Sequence, residues 1–172
     1  LLNQAFEDKI SAIKKAGEIL IDLGCIQSEY IDSMIERDEK ISVYIGNGVA
    51  IPHGMAGSEK YIKASGVSFI QVPKGVSFGP DKIAYLIIGI AGVDEEHLEI
   101  LAKLAITCSD MGKIEKLRTG TSTFCLINHN SLLLTLFHAM SHYSPSGNMR
   151  PVGNFEMFHG SCAGLFIFCM VK

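Results

Sequence analysis

The chain has 172 residues, of which 48% are hydrophobic and 19% are charged, and these values are typical of one soluble globular domain with a substantial core. A formal net charge of -3 argues against a nucleic-acid-binding protein, and no apolar run reaches the roughly 20 residues of a membrane span. Five scattered cysteines and a first segment without signal-peptide features predict a reduced, cytoplasmic protein.

Two amphipathic helices are predicted in the first 40 residues. Apolar residues recur at three- and four-residue steps from Phe6 to Leu23, and Gly24 is suited to end that helix. The second helix is predicted to begin at Ser28, a good N-cap residue, and to end near Arg37.

The next stretch, Tyr44–Gly54, is the most distinctive of the chain and reads YIGNGVAIPHG. Gly46 and Gly48 can adopt backbone angles that a side chain would forbid, so the main chain can approach a ligand closely. A proline stiffens the approach to His53, and Gly54 leaves space beside the ring. The pattern therefore predicts an imidazole that is rigidly presented and uncrowded.

Strands and helices alternate after this stretch. Residues Val67–Val72 alternate between apolar and polar, whereas Ile83–Ala91 is almost continuously apolar, as in a central strand that is covered on both faces. A turn-rich segment, Gly75–Asp81, separates them, and two helices follow, one capped by Asp94 and one from about Asp110 to Leu117. The alternation predicts α/β layers around a mixed or mostly parallel sheet.

Two further residues could act with His53. His97 lies in the first turn of the helix after the most apolar strand, and ligands in open α/β sheets gather at the carboxyl ends of strands. If His53 arrives at the same edge, the two imidazoles face each other, and Arg37 could reach the same place. His97 could equally be a helix-start residue bonded to backbone, and Arg37 a solvated surface charge.

Such a set suits a histidine that accepts a phosphoryl group. Imidazole, with a pKa near 6.5, is mostly neutral at cytoplasmic pH and can act as a nucleophile. The added negative charge needs donors, which backbone N–H groups near Gly46, Gly48 and Gly54, a helix N-terminus, a second imidazole and a guanidinium can supply. Positioning and charge stabilisation do most of the work in phosphoryl transfer, so neither a metal ion nor another cofactor is expected.

Four blocks of the sequence are similar to one bacterial protein family. They are the MIERDEK run that ends at Lys40, the Tyr44–Gly54 stretch, the GVSFG turn at Gly75–Gly79, and Ile87–Leu101 with its EHL triplet. Together they resemble the enzyme IIA domain of the phosphoenolpyruvate-dependent sugar phosphotransferase system, in the mannitol/fructose family and with most likeness to the mannitol type.

This resemblance implies a mixed sheet of about five strands flanked by helices. It also implies that His53 accepts phosphate, that His97 stabilises it, and that Arg37 orients it. The donor would be the histidine phosphocarrier HPr. The acceptor would be a cysteine of an enzyme IIB domain, which phosphorylates a sugar of the mannitol or fructose type during uptake.

Two rival functions remain open at this point. A regulatory enzyme IIA-like module, nitrogen-related or linked to a transcription regulator, would use the same histidines to signal nutrient state. A metal-dependent hydrolase would instead use His53, His97 and histidines of the last 50 residues as ligands.

The composition changes sharply near residue 122. Residues 1–122 contain 13 Lys or Arg and 17 Asp or Glu, whereas residues 123–172 contain only Arg150, Glu156 and Lys172. We therefore predict an enzyme IIA-type domain over residues 1–122 and an anomalous low-charge tail over residues 123–172. A reading-frame slip near the junction would explain the change.

Two features of the tail are also compatible with a functional or structural role. His138 and His142 stand four residues apart, as two metal ligands on one helical face would, but no further ligands are identifiable. The apolar run Ala163–Val171 is too short to cross a bilayer as a helix and predicts a buried strand or an aggregation-prone segment.

Overall fold

A computed structural model describes residues 1, 4–93, 96–119 and 168–169. The elements, in chain order, are α1 (Lys9–Asp22), α2 (Glu29–Lys40), β1 (Tyr44–Gly46), β2 (Val49–Ala50), a short 3-10 helix (Glu59–Tyr61), β3 (Gly66–Ser77), β4 (Ile83–Ala91), α3 (Glu96–Cys108), α4 (Met111–Thr119) and β5 (Phe168–Cys169). The predicted Asp94 cap, the His138 and His142 pair, and the rest of the tail apart from β5 lie outside the described residues.

The strands form a mixed sheet in the order β1-β2-β4-β3-β5. Four of them come from residues 44–91, and β5 adds two residues beside the start of β3. The prediction of an α/β fold with a sheet flanked by helices is confirmed, but a mostly parallel sheet is wrong. Among the described strands only β2 and β4 run parallel, because short turns join β1 to β2 and β3 to β4, and such turns produce antiparallel pairs.

Helices cover the sheet on both faces. Helices α1 and α2 pack on one face, where Ile13 and Met34 belong to the same buried cluster as Ile87 of β4. Helices α3 and α4 pack on the other, where Leu104 is buried with Ile88 of the same strand. Alternate residues of β4 therefore point into separate cores, which confirms the prediction of a central strand.

Local sequence signals account for both ends of α1 but only in part for the start of α2. Asp8 and Ser11 form a capping box at the start of α1, and Gly24, with φ of +71°, follows its end as predicted. Ser28 occupies the N-cap position of α2, but its hydroxyl donates to the Glu29 carboxylate and caps no backbone N–H.

Strand β3 is longer than the predicted Val67–Val72. It runs from Gly66 to Ser77, and its pairing with β4 becomes irregular between Gln71 and Val76. Pro73 lies in this interval and has no N–H to donate, so the ladder breaks there without ending the strand. The connecting turn consequently lies at residues 78–82, later than the sequence indicates.

A buried polar side chain joins the sheet to α4. Gln71 of β3 is 1% exposed, and its amide nitrogen donates to the carbonyls of Leu117 and Arg118 at 2.8 and 3.0 Å. These carbonyls belong to the last turn of the helix, where the helix itself has no N–H group left to donate to them. Gln71 therefore stabilises the end of α4 from within the sheet.

None of the helices in the described part of the chain combines the length and the apolar character that crossing a membrane requires.

Candidate functional site

The turn that carries His53 is held between two strands. Ile51, just after β2, donates its N–H to the carbonyl of Val43 at 2.9 Å, and the carbonyl of Pro52 accepts from Ile90 of β4, also at 2.9 Å. The chain therefore remains part of the sheet until the residue before the histidine. His53 lies just beyond the carboxyl end of β2, level with the end of β4.

The imidazole of His53 is half-buried and has a defined tautomer. Its Nδ1 lies 2.7 Å from the carbonyl oxygen of Ile51. Because a carbonyl oxygen can only accept a hydrogen bond, Nδ1 carries the proton and the lone pair of the neutral ring is on Nε2. Nε2 is therefore the nucleophilic nitrogen.

Burial, as the main cause, holds the pKa of His53 below its ordinary value, since it disfavours the charged imidazolium. The hydrogen bond to Ile51 opposes this effect in part, and the charge of Arg37 adds to it. The net result is a ring that is neutral at neutral pH, as a nucleophilic imidazole must be.

Arg37 lies in the last turn of α2, and its charge acts on this ring. Its side chain is half-buried, and its guanidinium donates to the carbonyl of Ile41, four residues on. Its charge is close enough to His53 to be among the causes of the lowered pKa. The structure therefore places Arg37 within electrostatic range of His53.

His97 is the second residue of α3, six residues after the end of β4, and only its backbone is described. Because β2 and β4 are parallel, their carboxyl ends meet at one edge of the sheet. The turn with His53 and the helix with His97 therefore both begin at this edge.

The predicted phosphate-loop glycines Gly46 and Gly48 lie elsewhere. They have φ of +98° and +73° and form the turn between β1 and β2, at the amino end of β2. The carbonyl of Gly48 accepts from Leu86, whereas the residue before His53 bonds to Ile90, four residues further along β4 and roughly 13 Å away. The structure does not bring these glycines to His53, which corrects the expectation that they approach the same ligand.

Gly54 does lie at the site, but for a different reason from the one predicted. A Cβ built on it would lie 2.5 Å from the ring of Tyr30 and would collide with the Ser58 hydroxyl. The residue must be glycine to make room for Tyr30, not for the imidazole. Its N–H donates to the Tyr30 hydroxyl at 2.9 Å, so it already has an acceptor within the protein.

Tyr30 and Ser33 also hold the turn, and neither residue was predicted from the sequence. The Tyr30 hydroxyl also donates to the carbonyl of Ile90 at 3.1 Å, and the Ser33 hydroxyl accepts from the N–H of Met55 at 2.9 Å. Together with Arg37 these residues occupy positions i, i+3 and i+7 of α2, which lie on one helical face. That spacing could have indicated that the three residues share a face, but the apolar residues of the helix recur at similar steps and make it hard to recognise.

Among the residues that the structure describes, no group of three or more His, Cys, Asp or Glu side chains could hold a metal ion. The described part of the site instead joins a neutral imidazole, a guanidinium and a turn held by hydroxyls. In this arrangement the imidazole can act as a nucleophile, and the guanidinium can attract an anionic electrophile.

Comparisons with known proteins point to one family. Residues 1–128 match the family model described as "Phosphoenolpyruvate-dependent sugar phosphotransferase system, EIIA 2". A mannitol-specific phosphotransferase enzyme IIA component of Enterococcus faecalis is 48% identical over 124 residues, which cover 70% of this chain and 86% of that protein.

Solved structures give the same result. The crystal structure of IIA mannitol from Escherichia coli superposes with a TM-score of 0.69 at 34% identity, covering 73% of this chain and 91% of that one. The enzyme IIAMTL and phosphorylated enzyme IIBMTL complex from Escherichia coli matches with a TM-score of 0.72 at 33% identity, covering 77% and 92%. Since the family model spans most of its length, the chain belongs to the type 2 enzyme IIA family of the phosphoenolpyruvate-dependent sugar phosphotransferase system.

Proposed function

We propose that this chain is a cytoplasmic phosphocarrier domain that accepts a phosphoryl group from phospho-HPr on Nε2 of His53. It then passes the group to a cysteine of an enzyme IIB domain, which phosphorylates a sugar during uptake. The observation that carries this proposal is the Nδ1 bond of His53 to Ile51, which leaves the lone pair of the neutral ring on Nε2. The charge of Arg37 also acts on this ring.

In the first transfer, the Nε2 lone pair of His53 attacks the phosphorus of the donor phosphohistidine. A new N–P bond forms while the P–N bond to the donor ring breaks, and its electron pair returns to the donor nitrogen. The Nδ1 proton stays on the ring, where the Ile51 carbonyl stabilises the positive charge that the ring develops. Arg37 offsets the negative charge of the phosphoryl oxygens, and we assign His97 the same role.

In the second transfer, a cysteine thiolate of enzyme IIB attacks the same phosphorus. An S–P bond forms, the N–P bond breaks, and its electron pair returns to Nε2, which regenerates the neutral imidazole of His53. The burial that lowers the pKa of His53 favours this neutral product. No step requires a metal ion.

The similar proteins support a sugar of the mannitol type. The Enterococcus faecalis relative is named mannitol-specific, and one of the similar structures is a complex with phosphorylated enzyme IIBMTL. We therefore propose mannitol ahead of fructose as the sugar. The same names favour transport over a regulatory enzyme IIA-like module.

The test is to incubate the chain with phosphoenolpyruvate, enzyme I and HPr, and then to add an enzyme IIB domain. We expect an acid-labile, base-stable phosphoryl group on His53 that moves to the IIB cysteine. His53→Gln abolishes the label, whereas His129→Gln, in the tail, serves as the matched control and retains it. An unlabelled wild-type chain, or label that persists in His53→Gln, would contradict the proposal. Label that stays on His53 in the presence of the enzyme IIB domains tested would favour the regulatory alternative.

A further inference from the structure

The hydroxyl of Tyr30 bridges two backbone groups next to the nucleophile. The side chain is 1% exposed, so its ring is part of the core under α2. The hydroxyl donates to the carbonyl of Ile90, near the end of β4, and accepts from the N–H of Gly54, the residue after His53. One side chain therefore sets the distance between β4 and the turn that carries the imidazole.

A second hydroxyl from the same helix acts one residue further along. Ser33 accepts from the N–H of Met55, so two successive backbone amides after His53 are bonded to side chains of α2. The absence of a Cβ on Gly54 allows the Tyr30 ring to approach the backbone directly. The turn is thus fixed by close contact as well as by hydrogen bonds.

We propose that Tyr30 and Ser33 form a hydroxyl clamp that positions His53 for phosphoryl transfer, with Tyr30 making the larger contribution. This inference rests on the function proposed above. The clamp holds the peptide on the C-terminal side of the imidazole, while β2 and β4 hold the peptide on its N-terminal side. With both sides fixed, Nδ1 stays on the Ile51 carbonyl and Nε2 keeps the lone pair.

The clamp also limits which groups can stabilise the phosphoryl oxygens. The N–H groups of Gly54 and Met55 already have acceptors, so the turn does not offer them to a phosphate in the state described. These two amides therefore do not share the negative charge, which increases the part that Arg37 must play. This differs from a glycine-rich loop, whose backbone N–H groups bind the phosphate themselves.

The test compares Tyr30→Phe with Tyr44→Phe. The Tyr44 hydroxyl likewise accepts from a glycine N–H, that of Gly48, but in the β1–β2 turn at the far end of β2. Both variants keep the ring and lose one hydroxyl. Three quantities are measured in each: the rate of phosphorylation by purified phospho-HPr, the tautomer of His53 from its ¹⁵N chemical shifts, and the urea unfolding midpoint.

We expect Tyr30→Phe to slow phosphorylation about tenfold, because small misplacements of reacting groups cost that much or more. The fraction of the His53 ring with the proton on Nδ1 should fall as well. Tyr44→Phe should remain within about twofold of wild type in rate, with an unchanged tautomer. Rates are compared at urea concentrations and temperatures at which every variant is folded, so that a loss of stability alone cannot produce the result.

Equal rates and equal tautomers in the two variants would overturn the clamp. If Tyr30→Phe does not fold, Ser33→Ala decides the question, since the proposal requires a smaller loss of rate and a smaller tautomer shift there too. If HPr does not phosphorylate the wild-type chain, the proposed function is refuted independently of the clamp. The tautomer comparison would still show whether the hydroxyls position the ring.

Discussion

At the scale of the residue, three effects of unequal size set the pKa of His53. Burial and the charge of Arg37 lower the pKa of the ring, and the hydrogen bond to Ile51 raises it by less. Desolvation disfavours the charged form of a base, and a neighbouring positive charge does the same. Each effect can be removed separately, which makes the assignment of causes testable.

Replacing Arg37 by Gln should raise the pKa of His53, because a positive charge next to the ring is lost. The pKa should remain below its ordinary value, since burial is the larger cause and persists. Arg37→Lys keeps the charge and should leave the pKa close to that of the wild type. An NMR titration of the His53 ring measures its pKa in the wild type and in both variants. A pKa that is unchanged or lower in Arg37→Gln would show that the Arg37 charge does not act on the ring as described.

The lowered pKa of His53 also makes stability depend on pH. Between the ordinary imidazole value of about 6.5 and the lower value in the fold, the unfolded chain binds more protons than the folded one. The free energy of unfolding therefore falls as the pH decreases through this window. His53→Gln has no such proton to gain, so its stability should decrease less from about pH 7.5 to about pH 5. Urea unfolding at the two pH values checks this, and equal decreases in both proteins would refute it.

At the scale of the element, the site depends on how closely α2 approaches the His53 turn. Gly54 and Tyr30 are 24 residues apart in sequence, yet the helix lies so near the turn that a single methyl group would not fit between them. Tertiary packing of this kind leaves little room for adjustment. The glycine is therefore as much a part of the site's geometry as the hydroxyl that it faces.

Gly54→Ala should lower the free energy of unfolding by about 1–3 kcal/mol, the usual cost of overpacking a well-packed site. The new Cβ would press on the Tyr30 ring and on the Ser58 hydroxyl. Gly112→Ala, in α4, is the matched control, because its new Cβ meets only the end of the Asp110 side chain, at 3.3 Å. The control should be neutral or stabilising by up to about 1 kcal/mol, as alanine favours helices. Equal stability of the two variants in urea would contradict the packing argument.

Sequence patterns predicted the elements better than their mutual arrangement. The three- and four-residue spacing located α1 and α2, and the unbroken apolar run located β4, because both signals are local. The direction of the strands was misjudged, since hydrophobicity does not reveal whether a connection is a hairpin or a crossover. Gly46 and Gly48 were expected to approach the same ligand as His53, but they lie in the turn between β1 and β2.

At the scale of the whole molecule, the sheet carries helices on both faces, and its inner strand serves both cores. The face with α1 and α2 supplies the hydroxyls and the guanidinium of the site. The face with α3 and α4 supplies the helix that has His97 in its first turn. Any change that loosens one layer from the sheet should therefore affect stability throughout the domain.

Gln71→Met should lower the free energy of unfolding by about 1–3 kcal/mol, because it leaves the carbonyls of Leu117 and Arg118 without their donor. Methionine is similar in length to glutamine, so the change in packing is small. Gln27→Met is the control, since Gln27 is exposed and its side chain can be replaced at little cost. Urea unfolding of both variants provides the measurement. A loss in Gln71→Met no larger than in the control would mean that the bonds to α4 contribute nothing.

Local patterns pointed to a candidate nucleophile. A histidine between a proline and a glycine, followed by a second histidine at the start of a later helix, pointed to His53 and His97 without coordinates. Arg37 was predicted from its position just before the same stretch, and its charge is among the causes of the lowered pKa of His53. These assignments came from residue type, from spacing along the chain and from the resemblance to the enzyme IIA family.

Only the tertiary structure decided which nitrogen of His53 can react and what holds the ring. The Nδ1 bond to Ile51 selects the tautomer, and the hydroxyls of Tyr30 and Ser33 fix the turn from another helix. Such bonds depend on the distance between α2 and the sheet, which the packing of a whole core determines. Because no window of sequence contains that distance, no local pattern could have predicted it.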